Sequence, residues 1–183
     1  MNRGLLIKPQ GPCKLEAYVD SDFAGDRDMR RSITGYVLYF YGRAIAWKSK
    51  QQDGVTLSSS EAEYYAISEV TKELLLVKQI LDFLEIEHEL PMTIHADNNG
   101  AINLANNNIS GTKTKHVDMR IHFVRDLIQE EPRILETRFV RSERNQADTI
   151  TKNTKNETFW KHTKDTCHMM IRYSKSKRED VKE

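Results

Sequence analysis

The chain lacks long hydrophobic runs. No stretch approaches the roughly 20 consecutive apolar residues that a transmembrane helix needs, and the mean hydropathy is -0.66. Near the N-terminus the apolar run at residues 5–7 ends at Lys8, which makes it too short for the apolar region of a signal peptide. The sequence therefore predicts neither a membrane span nor secretion.

Cysteine is scarce. Cys13 and Cys167 are the two cysteines, and they lie far apart in the chain. Neither has the closely paired neighbour that zinc sites and disulfide frameworks require. We therefore expect an intracellular, reducing compartment and no structural zinc.

The chain also lacks an excess of charge of one sign. It has 28 basic and 27 acidic residues, with a formal net charge of +1. A globally basic surface is thereby excluded. Any contact with nucleic acid would have to come from a local basic patch.

The length of 183 residues fits one globular domain. Residues 1–14 contain two glycines and two prolines with little periodicity, and they are interpreted as a linker or the end of an upstream region. Residues 15–160 are predicted to form the domain. Residues 161–183 end in a mixed-charge run with little apolar content, so a charged and partly disordered tail is predicted there.

Alternating or β-rich segments predict five strands. They are residues 15–20, 33–40, 44–50, 92–97 and 134–141. A short separator between the second and third segments predicts a hairpin, so the first three strands should form an antiparallel meander. The first and fourth strands each end in a carboxylate, Asp20 and Asp97.

Helical spacing of apolar residues predicts the other elements. A long helix follows the serines at 58–60 and continues to Leu84, a short helix covers 98–106, and another helix runs from Val117 to Ile128. A helical segment is expected after residue 145. The resulting order predicts an α/β domain with a mixed sheet.

Four carboxylates stand where rigid elements end or begin. They are Asp20, Glu63, Asp97 and Asp148. Acidic groups gathered at one place repel each other unless divalent cations neutralise them, and oxygen ligands favour magnesium or manganese. Such a group suits phosphoryl transfer by two metal ions about 3.5–4 Å apart.

Each of these carboxylates also has a purely structural interpretation. Glu63 fits a capping box with Ser60, Asp97 and Asp148 fit helix N-caps, and Asp20 fits an ordinary turn. Glu61 lies about 200° around the helix from Glu63, so both cannot face one site. Glu63 is the inward one, and the pattern alone leaves its role open.

Three segments carry a family resemblance: Asp-Ser-Asp-Phe-Ala-Gly-Asp at 20–26, Ser-Ser-Ser-Glu-Ala-Glu-Tyr at 58–64 and Asp-Asn-Asn-Gly-Ala at 97–101. Together they resemble the ribonuclease H region of copia-type retrotransposon polyproteins. The resemblance continues at 32–37, 47–51, 114–118, 122–125 and 147–152. It extends over nearly everything from Leu15 to Lys152.

The resemblance implies a ribonuclease H-like fold, a five-stranded mixed sheet with three antiparallel and two parallel strands, flanked by helices. It implies hydrolysis of the RNA strand of RNA–DNA hybrids during reverse transcription. Asp20, Glu63, Asp97 and Asp148 match the family's catalytic and metal-binding positions, with Asp22 as a second candidate beside Asp20. The implied cofactor is two magnesium ions, for which manganese can substitute.

The implied partners are the hybrid and the reverse transcriptase domain of the same polyprotein, in which case residues 1–14 are a remnant of the polymerase region. No membrane partner is expected, and the site of action would be the cytoplasm, within a virus-like particle, or the nucleus. The expected substrate-binding residues are Ser59, Asn98, Arg30, Lys48 and Lys115. The alternative is a catalytically silent connection module or a transposon remnant that only binds nucleic acid.

Overall fold

A computed structural model describes residues 11–26, 30–107, 115–152 and 156–167. Its strands are β1 (Lys14–Asp22), β2 (Ile33–Phe40), β3 (Arg43–Gln51), β4 (Glu89–Ala96) and β5 (Leu135–Phe139). They form one sheet in the order β3-β2-β1-β4-β5. β1, β2 and β3 are antiparallel neighbours, whereas β4 is parallel to both β1 and β5. The predicted mixed sheet is confirmed.

The helices follow the predicted order. They are α1 (Ser59–Phe83), α2 (Asn99–Asn106), α3 (Lys115–Gln129), α4 (Asp148–Thr151) and α5 (Asn156–Cys167), with a short 3-10 turn at Ser142–Arg144. The helical segment expected after residue 145 is thus divided into α4 and α5. Within the described ranges, no helix is both long and apolar enough to cross a membrane.

The predicted ends of the domain lie close to the ends of the described chain. β1 begins at Lys14, one position before the predicted start, and α5 continues to Cys167, into the segment predicted as a tail. Residues 1–10 and 168–183 lie outside the described residues. The assignments of 1–14 as a linker and 161–183 as a tail therefore stay predictions.

The main core lies between one face of the sheet and α1. Strict alternation directs Leu15, Ala17 and Val19 of β1 to this face, and all three are fully buried. Ile67 and Leu74 of α1 pack in the same cluster and are fully buried as well. This packing fixes α1 across the centre of the sheet.

The opposite face of the sheet is covered in part by α4. A smaller cluster of Val37, Tyr39 and Ala44 packs there against Ile150. Gly35 of β2 makes the close approach possible, because a Cβ at this position would overlap Thr151 Cγ2 and lie 3.0 Å from Ile150 Cγ1. The glycine therefore determines how near α4 comes to the sheet.

The close contact at Gly35 predicts that Gly35→Ala destabilises the fold. Overpacking of this kind costs about 1–3 kcal/mol, because α4 must move away from β2. Gly54→Ala is the matched control, since a Cβ at Gly54 meets nothing within 4 Å. Urea unfolding of the two variants measures the difference. Equal stability of both would show that α4 does not press on Gly35.

Candidate metal centre

Three aspartates converge at one edge of the sheet. Asp20 lies near the carboxyl end of β1, Asp97 directly follows β4, and Asp148 is the first residue of α4. Each offers a carboxylate oxygen, and the three oxygens lie within 4.8 Å of one another. Because β1 and β4 are adjacent parallel strands, their carboxyl ends meet at this edge. The structure therefore brings together three of the four carboxylates that the sequence indicates.

Glu63, the fourth carboxylate, reaches the same edge from the first turns of α1. It is only 6% exposed, and its Oε1 accepts a hydrogen bond from the backbone N–H of Ser21 at 3.2 Å. Its Oε2 is buried without a hydrogen-bond partner. Burial, then the negative charges of Asp20 and Asp97, raise the pKa of Glu63 to about 9. Glu63 is thus electrostatically part of the acidic group.

The capping of α1 falls to other residues. Ser58 is the N-cap, and its side chain accepts a hydrogen bond from the Glu61 N–H at 3.2 Å. Glu61 Oε2 accepts in turn from the Leu57 N–H at 2.8 Å. These bonds satisfy the start of the helix without Glu63. The alternative of a capping box between Ser60 and Glu63 is therefore wrong.

The aspartates are not N-caps either. Asn98 is the N-cap of α2, and its Oδ1 accepts from the Ala101 N–H at 3.0 Å. Asp97 is therefore left outside the cap. Ala147 occupies the N-cap position of α4, and Asp148 comes after it, inside the helix. Neither carboxylate serves the capping role that the sequence left open.

Asp20 is the most deeply buried aspartate of the group, at 1% exposure. Thr151 Oγ1 donates a hydrogen bond to its Oδ2, and Lys152 Nζ lies 3.5 Å from the same oxygen. Burial raises the pKa of Asp20 to about 6, against the opposing effects of Thr151 and Lys152. Asp20 therefore depends on α4 and the residue after it for its stabilising contacts.

Lys152 links two of the aspartates. Besides its contact with Asp20, its Nζ lies 2.8 Å from Asp148 Oδ1. Burial alone would lower the pKa of the Lys152 ammonium. The contact of the ammonium with the Asp148 carboxylate and the charge of Asp20 outweigh that effect and raise the pKa above its ordinary value. The ammonium is therefore held in its charged form by the acidic group.

Asp22, the second candidate beside Asp20, takes no part in the group of three. It is the last residue of β1 and pairs with Ile33. Its carboxylate lies against Gly25 in the following loop. The preference for Asp20 over Asp22 as the catalytic residue stays a prediction.

Sequence reasoning missed two kinds of supporting residue. Gln52, at 2% exposure, donates from Nε2 to the Ala62 carbonyl at 3.0 Å and to Thr34 Oγ1 at 2.9 Å. It thereby ties the first turn of α1 to β2. No pattern in the polar run 50–53 marks this role. Lys152 is four residues after Asp148, and this helical spacing would have indicated the ion pair.

The expected substrate-binding residues are scattered by comparison. Ser59 is the exposed first residue of α1. Arg30 is exposed in the loop before β2, with a left-handed backbone (φ 55°). Lys48 pairs with Glu73 of α1 at 3.2 Å. Their roles, and that of the cap residue Asn98, stay predictions.

Lys115 is the first residue of α3. Its side chain lies outside the part of the chain that the structure describes. The expected contact between Lys115 and a nucleic-acid phosphate therefore also stays a prediction.

Comparisons with known proteins identify relatives among transposon polyproteins. The chain is 40% identical over 138 residues to the retrovirus-related Pol polyprotein from transposon TNT 1-94 of Nicotiana tabacum, a match over 75% of this chain and 10% of the relative. It is 36% identical over 151 residues to the corresponding polyprotein from transposon RE1 of Arabidopsis thaliana, covering 82% and 10%. The chain thus spans about a tenth of the length of these relatives. No family model matches it.

Among solved structures, the chain resembles LC11-RNase H1, isolated from compost by a metagenomic approach. The TM-score is 0.57 at 17% identity, over 81% of this chain and 97% of the other. The N-terminal RNase H domain of rv2228c from Mycobacterium tuberculosis gives a TM-score of 0.54 at 11% identity, over 83% and 97%. At these identities the likeness concerns the fold.

The domain accordingly has the ribonuclease H fold, with an acidic group at the edge where β1 and β4 end. The chain is homologous to one segment of plant retrovirus-related Pol polyproteins. These findings confirm the predicted resemblance to the ribonuclease H region of a copia-type retrotransposon polyprotein.

The raised pKa of Glu63 predicts a pH-dependent stability when divalent metal is removed with a chelator. Its pKa rises from 4.5 to about 9 on folding, so between these values the folded chain holds more protons than the unfolded chain. The free energy of unfolding therefore falls as the pH rises from 4.5 to about 9, and Glu63 adds no further pH dependence above that range. Glu63→Gln should remove this part of the pH dependence, measured by urea unfolding between pH 6 and 9.

Glu61→Gln serves as the control for this measurement, because Glu61 lies two residues away on the same helix but is only half-buried and belongs to the cap. It should keep the pH dependence of the unchanged protein. If Glu63→Gln also keeps it, Glu63 does not carry the proton in the folded chain.

Proposed function

We propose that this chain is a metal-dependent endonuclease that hydrolyses the RNA strand of RNA–DNA hybrids during reverse transcription of a copia-type retrotransposon. The observation that carries the proposal is the acidic group, in which oxygens of three aspartates lie within 4.8 Å of one another. The relatives' identity as Pol polyproteins supports a role beside a reverse transcriptase. LC11-RNase H1, which has the same fold, has been solved in complex with an RNA/DNA hybrid.

The residues present fit a divalent metal. Every side chain of the group offers carboxylate oxygens, the donors that magnesium and manganese prefer. Glu63 Oε2 is buried without a hydrogen-bond partner, which a metal ligand or metal-bound water would satisfy. We assign the ligand roles to Asp20, Glu63, Asp97 and Asp148. The proposed cofactor is two magnesium ions, replaceable by manganese, which would supply an activated water and stabilise charge on the leaving oxygen.

The protein orients these ligands through contacts behind them. Thr151 fixes one oxygen of Asp20, and the Ser21 N–H fixes one oxygen of Glu63. Such contacts hold carboxylates in place before substrate arrives. The other two proposed ligands come from different elements: Asp148 from the start of α4, and Asp97 from the position directly after β4.

The approach of substrate follows from the exposure of these ligands. Asp20, Glu63 and Asp148 are buried, whereas Asp97 is of intermediate exposure. The scissile phosphate would therefore approach past Asp97. Among the predicted substrate contacts, Asn98 directly follows Asp97, and Ser59 lies on α1 four residues before Glu63. Arg30, Lys48 and Lys115 would contact phosphates.

The proposal also includes the partner and the cellular compartment of this chain. The partner would be the reverse transcriptase domain of the same polyprotein, and the compartment the cytoplasm, in a virus-like particle, or the nucleus. The rival is a silent module that binds nucleic acid without cutting it. The gathering of three aspartates, with Glu63 buried beside them, favours the enzyme, because a binding module has no need of a self-repelling acidic group.

Cleavage of an end-labelled RNA–DNA hybrid in magnesium or manganese tests the proposal. The purified chain should cut the RNA strand and leave duplex DNA intact. Asp97→Asn should lower the rate by more than about a hundredfold, because loss of a direct ligand should exceed the 10–100-fold typical of residues behind the ligands.

Asp22→Asn is the matched control, since Asp22 is the same residue type on the same strand as Asp20 but lies outside the acidic group. This variant should cut at the rate of the unchanged protein. A folded chain that binds the hybrid and cuts nothing in either metal would favour the silent module.

A further inference from the structure

Lys152 is placed differently from the other basic residues that the structure describes. Within the described ranges, the ion pairs that reach Asp20 and Asp148 both come from its ammonium, at 3.5 Å and 2.8 Å. One cation therefore bridges two aspartates of the proposed metal centre. The oxygens that it contacts belong to carboxylates that a metal would need.

The position of Lys152 in the fold maintains this bridge. Asp148 opens α4 and Lys152 is its C-cap, so the two side chains stand four residues apart on one helical turn. The Lys152 N–H also donates to the Asp148 carbonyl at 3.3 Å. Thr151, one residue earlier, bonds to Asp20. The short helix and its C-cap residue thus present a carboxylate and an ammonium to the same group.

The Lys152 side chain is nevertheless free to leave. It is 40% exposed, in contrast to the 2% exposure of the Asp20 side chain that it contacts. A lysine has a long flexible stem and a compact charge, so the ammonium can turn to solvent while the carboxylates stay in place.

We propose that Lys152 is an internal counter-ion that competes with divalent cations for the carboxylates of Asp20 and Asp148, and that it sets the metal concentration at which the site fills. This inference rests on the proposed function, since it concerns metal binding to the same group. A monovalent ammonium offsets part of the repulsion among the acids. A divalent ion offsets more of it and takes over the shared oxygens.

Direct measurement of manganese binding to the full chain by calorimetry tests this competition. Lys152→Gln should bind manganese about tenfold more tightly than the unchanged protein. The ammonium of Lys152 would lie about 4 Å from an ion bound at these carboxylates, and at that distance the two positive charges repel each other even under strong screening. Lys152→Arg keeps the charge and should bind as the unchanged protein does.

Lys78→Gln is the matched control. Lys78 forms the same kind of pair, four residues from Asp82 and at 2.7 Å, on α1. It should leave manganese binding unchanged. In chelator, thermal unfolding should show a larger loss of stability for Lys152→Gln than for Lys78→Gln, and added manganese should recover that loss.

The outcomes separate this inference from the proposed function. If Lys152→Gln binds manganese no more tightly than the unchanged protein, while Asp97→Asn loses binding, the counter-ion role is wrong and the metal centre stands. If the unchanged protein and Asp97→Asn both fail to bind manganese or magnesium, the metal centre itself is wrong, and the counter-ion role falls with it.

A second measurement serves if Lys152→Gln does not fold. Lysines of the unchanged protein can be labelled by reductive ¹³C-methylation, and the Lys152 signal assigned by its absence in Lys152→Arg. Magnesium should move this signal to the position of solvent-exposed lysines. A signal that stays in place while magnesium binds would overturn the proposal.

Discussion

The parallel pairing of β1 with β4 is the constraint on which the candidate site depends. In this register Tyr18 lies opposite His95, so the next two positions carry the chain to Asp20 on one strand and Asp97 on the other. Parallel neighbours cannot be joined by a hairpin and need a long connection, which here includes α1. The same connection carries Glu63. One topological requirement therefore delivers three of the four carboxylates to one edge of the sheet.

The acidic group is costly for the fold, and the structure shows how the cost is reduced. Burial disfavours charge on Asp20 and Glu63, and negative neighbours add to the effect. Asp20 accepts a hydrogen bond from Thr151 and lies beside the positive charge of Lys152. Glu63 accepts a hydrogen bond from the Ser21 N–H. None of them satisfies Glu63 Oε2. Incomplete satisfaction of buried polar atoms is typical of functional sites.

The sequence predicted the elements well because their patterns are local. Alternation alone places Leu15 and Asp20 on opposite faces of β1. The structure confirms this, because Leu15 packs in the main core and Asp20 contacts Thr151 of α4. The role of Glu63 was harder to predict, since an acid in the first turn of a helix serves equally as a cap or a ligand. The structure distinguishes the two roles, because Ser58 and Glu61 make the capping hydrogen bonds. Glu63 takes no part in the cap and faces β1 instead.

What the sequence did not predict depends on contacts between distant segments. Gly35 stands opposite Asp20 on β2, and its missing side chain admits α4. Asn145, fully buried, donates to the Val19 carbonyl at 2.9 Å and secures the chain just before Asp148. α4 has only four residues, too few to be stable alone, so its place is fixed by these contacts and by the bond from Thr151 to Asp20. Asp148 and Lys152 therefore reach the acidic group only when the C-terminal segment is packed against β1 and β2.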